Sequence, residues 1–183
     1  MAAGKLMHAV QYDTYGGGSA GLKHVEVPVP APKQDEVLIK LEAASINPLD
    51  WKIQSGGLRP FWPGKLPVIP VVDVAGEVIK VGLGVKNFKA GDKVVSVLNP
   101  KSGGGLAEFF VAKGSLTVPR PPEVSPTEAA GLPTAALTAH LALTQSAGSS
   151  LTEVARGKTS SSPLPLAAWA TMPFNWPSSA TPM

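Results

Sequence analysis

Apolar and polar positions alternate along the first two thirds of the chain with the short period of β-strands, and the pattern lengthens only after Ser125. Leu6 to Tyr12 alternates well enough for a first strand, and Gly16, Gly17 and Gly18 turn the chain toward a second at Leu22 to Val27. Pro28, Pro30 and Pro32 punctuate the stretch after it. Val37, Ile39 and Leu41 have the spacing of a half-buried strand, with Lys40 and Glu42 facing the other way. A short helix comes next: Asn47 is a good N-cap, Pro48 suits the first helical position, Asp50 favours the positive helix end and Gly56 can close it. Val68 to Val81 reads as a strand-rich stretch carrying Asp73 and Gly76, before the turn Gly82-Leu83-Gly84. Val94 to Leu98 and Leu106 to Ala112 complete the sheet, separated by Gly103-Gly104-Gly105. Roughly seven short strands with such turns predict a mainly β fold with short helices, in the form of a compact, partly open barrel.

From Ser125 the period becomes helical, because Ser125, Pro126 and Glu128 make a capping box before a run that continues to about Ser146. Leu132, Ala136, Ala139, His140 and Leu143 share one face. Pro133 should kink this helix or split it in two, since it removes a backbone donor and collides with the preceding turn. Gly148 is the expected stop.

Composition narrows the chemistry. The 183 residues are 44% hydrophobic, enough for one core, while Gly 19 and Pro 19 favour turns over long helices. With no cysteine, disulfides, thiolate catalysis and cysteine-based zinc sites are excluded. The formal charge of +3 is scattered without a basic run, which reads as a solvated surface and not a nucleic-acid face. Peripheral contact with anionic lipid fits this charge better than nucleic acid does. No apolar run approaches the ~20 residues that span a bilayer. Lys5, His8 and Asp13 interrupt the N-terminal segment, so neither a membrane span nor a cleavable secretory signal is expected.

Four ordered motifs stand out: Asn47-Pro48-Leu49-Asp50-Trp51-Lys52; Pro70-Val71-Val72-Asp73-Val74-Ala75-Gly76-Glu77-Val78; Val81-Gly82 with Val85, Phe88 and Gly91-Asp92-Lys93-Val94; and Gly105-Leu106-Ala107-Glu108. In this order they resemble the medium-chain dehydrogenase/reductase superfamily over about residues 4–150. The pattern is most similar to its zinc-free quinone oxidoreductase branch, in particular the plant chloroplast-envelope members. The resemblance implies a GroES-like, alcohol dehydrogenase-like N-terminal domain on the substrate side, a Rossmann domain binding NADPH across a cleft, and a quinone or enone (alkenal) substrate. It implies hydride transfer with hydrogen-bond donors stabilising the developing enolate charge. It also implies the chloroplast envelope as location, the cytoplasm being the default otherwise. Zinc alcohol dehydrogenases place a cysteine ligand near Asn47 and a histidine near Asp73. This chain has neither, and His8, His24 and His140 lack metal-ligand spacing, so no metal is expected.

Three residues are the candidate cofactor-binding positions, and none is assigned as catalytic. Asn47 could orient nicotinamide or substrate, or serve only as the N-cap. Lys52 could hold phosphate or an oxyanion, or be a solvated helix lysine. Thr138 matches the position from which family members approach the nicotinamide, the alternative being a threonine bonded to its own helix backbone. Asp50 reads as a helix-start carboxylate, and Asp73 and Asp92 as turn or packing residues.

The expected organisation is a GroES-like substrate domain over 1–124, a connecting helix segment over 125–150 and an aberrant, disordered tail over 151–183. Thr159 to Met183 contains no charge and has no strand or helix period. The genetic code suggests why. With TCN serine codons, a frame that joins each third base to the next two bases makes Thr159 to Ser162 encode consecutive Phe, Leu, Ile or Val. In that frame Trp169-Ala170 must give glycine, while Met172-Pro173 and Trp176-Pro177 must each give alanine. The displaced frame can thus read as a strand, a glycine-rich turn and an amphipathic helix, as a dinucleotide site requires. The expectation is a frame change near Arg156 to Thr159 and a truncated product that is inactive alone; a genuine disordered tail is the other reading. A non-catalytic interaction module using the helix face with Leu132, Ala136 and Leu143 is the rival function.

Overall fold

The computed structural model describes residues 5–60 and 65–142. Within them, β1 (Leu6–Gln11) pairs with β2 (Lys23–Pro28) as an antiparallel ribbon. A larger antiparallel sheet has the order β6-β3-β4-β5-β7, formed by β3 (Glu36–Ser45), β4 (Asp73–Val81), β5 (Lys93–Val97), β6 (Phe109–Lys113) and β7 (Thr117–Pro119). Isolated bridges from Ala9 to Ala107 and from Tyr12 to Val68 tie the ribbon to this sheet without closing it. The partly open, mainly β architecture is the expected one. A short 3₁₀ turn over Gly18–Gly21 joins β1 to β2, delaying the second strand to Lys23.

The core follows from strand alternation. Val37 and Ile39 of β3, Val74 and Val78 of β4, Val94 of β5 and Phe110 of β6 converge with Val72, Phe88 and Leu98. Each such aliphatic burial contributes about 1.5–3 kcal/mol. Leu38 is buried as well, against the expected alternation, because the β3–β4 register shifts between Leu38 and Ile39. At Gly76, any Cβ would collide with the Lys40 carbonyl oxygen, so β3 and β4 approach closely only because this residue has no side chain.

Two stretches depart from the sequence pattern. Residues 68–72 make no regular strand. Val71 adopts φ 75°, and the carbonyls of Ile69, Pro70 and Val71 accept instead from the amides of Gly104, Leu106 and Gly105. The short β7 has a sequence too brief and too proline-rich to show a period, and it forms because β5 leaves an edge for Thr117–Pro119 to pair with.

After β7, the helical run divides into α2 (Pro126–Ala130) and α3 (Pro133–Leu141), as the proline at 133 requires. Ser125 caps α2 through the reciprocal pair with Glu128. Ala129 and Ala130 of α2 pack on Ala75 of β4, where small side chains permit a close approach. The structure separates into two compact units that divide after Ala135. Leu143, the expected helix end at Ser146, Gly148 and the whole of 151–183 lie outside the described residues.

Candidate functional site

Helix α1 (Pro48–Gln54) carries the first candidate residue at its N-terminus. Asn47 is its N-cap, and Asp50 answers it, accepting from the Asn47 backbone N–H at 2.7 Å. The Asn47 side chain does more than cap. Its Nδ2 donates to the Ser45 carbonyl at 3.2 Å and to Asp73 Oδ2 at 3.0 Å. The two hydrogens of that amide are thereby committed, which fixes its orientation.

Asp73 opens β4 and is fully buried. Besides Asn47, its carboxylate accepts from the Thr134 backbone N–H at 2.8 Å and the Thr134 hydroxyl at 2.7 Å. No cation pairs with Asp73 among the described residues. Three donors hold this buried charge, two of them at the first turn of α3 and one at the cap of α1. Asp73 is therefore more than a packing residue: it joins the starts of two helices to the sheet. A lone charged residue inside the apolar run Val68 to Gly76 is the sequence signal that marks it. Thr134 carries no such signal, since threonine after a helix-initial proline is unremarkable.

Asp50 is buried too, and burial pushes its carboxyl above the ordinary carboxylate range. The Asn47 amide works against that shift, the charge of Asp73 adds to it, and the Val72 and Val71 amides oppose it. The strained Val71 backbone thus belongs to the floor beneath α1. Ile46 and Trp51 flank Asn47 in sequence and are exposed, giving this polar centre an apolar and aromatic margin.

The other two candidates sit differently. Lys52 is exposed, with Nζ 5.9 Å from the Trp51 ring centroid, and makes no ion pair among the described residues. It is neither drawn onto the Asn47 cluster nor buried. Thr138 is an exposed residue of α3 in the second unit. Asp92 is a turn residue: its carboxylate accepts from the Lys89 amide at 2.9 Å and pairs with the Lys89 ammonium.

Among the described residues no group of three His, Asp or Glu side chains is arranged to hold a metal. A dinucleotide asks for a parallel strand, a glycine-rich turn and a helix N-terminus. The described strands all pair antiparallel, so these residues do not fit a pyrophosphate cradle.

Residues 33–122 match the alcohol dehydrogenase GroES-like domain. Over 146 residues the chain is 68% identical to the chloroplast envelope quinone oxidoreductase homolog of Arabidopsis thaliana, covering 80% of this chain and 44% of that protein. It is 38% identical over 156 residues to the NADPH-dependent alkenal/one oxidoreductase, chloroplastic, of the same plant, covering 80% of this chain and 40% of that one. The solved quinone oxidoreductase of Coxiella burnetii superposes with a TM-score of 0.70 at 36% identity, over 77% of this chain and 45% of its own. The chain belongs to the medium-chain dehydrogenase/reductase superfamily, among the quinone oxidoreductase homologues, and contains their GroES-like domain. It spans somewhat under half the length of the curated relatives it matches. No helix among the described residues is long and apolar enough to cross a membrane.

Proposed function

We propose that residues 1–124 act as the substrate-side domain of an NADPH-dependent reductase of quinones or enones, with residues 125–150 as the segment leading away from it. The observation that carries this reading is the Asn47–Asp73–Thr134 constellation, a polar clamp around the buried Asp73 that fixes one amide beside exposed Ile46 and Trp51. Such a rigid group with an apolar and aromatic margin suits one face of a flat ring. The chemistry of NADPH, when bound, is the supply of hydride; this domain's own residues position the acceptor. Asn47, Lys52 and Thr138 are the residues we assign to the cofactor and substrate side. Similarity to the two chloroplast proteins supports residence in the chloroplast, at the envelope by the nearer likeness.

The 183-residue polypeptide by itself is inactive in this reading, because the sequence after Lys158 carries no glycine-rich turn between a strand and a helix period. Titrating duroquinone, whose methyl groups block addition by lysine, into the ¹⁵N-labelled chain tests the reading. Resonances of the Asn47 side chain and of α1 should shift saturably; shifts confined to other elements would refute it. A non-catalytic interaction module remains the second reading, favoured by exposed Leu132 and Ala136.

A further inference from the structure

A second concavity lies between the β1–β2 ribbon and the β6 edge of the larger sheet, sharing no residue with the Asn47 cluster. Its volume of about 600 Å³ falls within the ~300–1,000 Å³ typical of small-molecule sites. The floor is apolar: Ala9 and Ala107 are buried, and Val10, Leu41 and Phe109 are half-buried. The rim is basic, formed by the exposed Lys5, His8, His24 and Lys40. Strand register makes this mixture, because Val10 stands opposite His24 and Lys40 opposite Phe109, and paired residues share a face.

The charges do not cancel within the groove. Lys5 holds its ammonium 5.4 Å from the Phe109 ring centroid, and neither Lys5 nor Lys40 forms a salt bridge among the described residues. Glu108 is the one carboxylate in the lining, and its Oε2 already accepts from the His8 backbone N–H at 2.8 Å. Glu77, opposite Lys40 on β4, is hydrogen-bonded to Lys93 at 2.8 Å and feels the charge of Lys40 only as a smaller effect, without a salt bridge to it. Two ammonium groups therefore overlook an apolar floor whose one carboxylate is engaged by a backbone amide, and a cation over an aromatic ring is well placed to receive an anion as well.

We propose that this groove binds a small amphipathic anion, a carboxylate on a medium-length aliphatic body. The headgroup lies between Lys5 and Lys40, and the chain lies along Phe109, Leu41 and Val10. A neutral quinone offers the two ammonium groups no charge to pair with, so this ligand class is distinct from that proposed for the Asn47 site.

Calorimetry with the 183-residue chain tests this, using decanoate below its micellar range. One site with Kd of about 10–100 μM is expected, with resonance shifts on His8, His24 and Phe109 and none on Asn47. The double variant Lys5→Gln/Lys40→Gln, both at exposed positions, should keep the thermal midpoint and weaken decanoate about tenfold or more, as should replacing decanoate by decanol. Saturation by inorganic phosphate with equal affinity would remove the role of the apolar floor and overturn the proposal. So would equal binding by the double variant, equal binding of decanol, or no saturation up to about 1 mM decanoate. Binding of anionic vesicles without binding of decanoate would assign the basic rim to a membrane surface and overturn it too.

Discussion

The side-chain amide of Asn47 donates to Asp73 across 3.0 Å, joining the cap of α1 to the first residue of β4. Since Asp73 also takes both donors of Thr134, its removal leaves three polar groups without their partner. Asp73→Asn keeps one acceptor but turns an NH₂ toward donors. It should lower stability by about 2–3 kcal/mol, and Asp73→Ala by about 3–5 kcal/mol. Urea unfolding monitored by tryptophan fluorescence reads both. A loss under ~0.5 kcal/mol for Asp73→Asn would show the clamp to be unimportant.

Asp50 gives a pH dependence of defined sign. Burial raises its carboxyl from the ordinary 3.8, so the folded protein holds this proton more tightly than the unfolded chain. The stabilising contribution is fully present below that ordinary value and is lost as pH rises through the raised folded value. The stability of the protein relative to Asp50→Asn, which cannot titrate, should fall as pH rises from about 4 and then level off. Asp13, Glu77, Asp92 and Glu128, whose carboxyls are all held below their ordinary values by hydrogen bonds, titrate with the opposite sign. They are common to both proteins and cancel in the difference. A relative stability that increases with pH contradicts the assignment.

Val71 should invert the usual order of alanine and glycine. Its φ of 75° strains any residue with a Cβ, and the side chain is buried. Truncation to alanine loses packing and keeps the strain, whereas glycine loses packing and relieves it. Val71→Gly is therefore expected to be more stable than Val71→Ala by about 1 kcal/mol. Thermal midpoints of the two variants decide it.

The polypeptide should bind NADPH with Kd weaker than about 1 mM and show no detectable NADPH-dependent quinone reduction. NADPH fluorescence titration checks this, and a tight one-to-one complex would contradict it.

Strand placement is largely legible because half-buried strands write their period into the sequence, as β1 and β3 do with Met7, Ala9, Val37 and Ile39. The break at Pro133 is legible for a covalent reason, the missing amide. Residues 68–72 mislead: their apolar run looks like a strand, while Val71 has a positive φ and the stretch bonds to the amides of Gly104 and Gly105, far along the chain. β7 exists only through pairing with β5. Within the site, Asn47 is legible as a cap, but its bond to Asp73 spans 26 positions and leaves no local trace. Lys52 is drawn toward the site only by its neighbours in sequence, and its exposure reflects a helix of only seven residues with few positions facing inward.

The most direct test of the account compares duroquinone affinity in the 183-residue chain and in Asn47→Ser by ¹⁵N-resolved titration. Serine preserves the N-cap but cannot reach Asp73, so the helix stays while the oriented amide is lost. Affinity about tenfold weaker in the variant, with α1 resonances otherwise intact, is predicted. Equal affinity, or saturable shifts in both proteins that avoid α1 altogether, would contradict the claim that Asn47 and its clamp form the substrate side of a reductase.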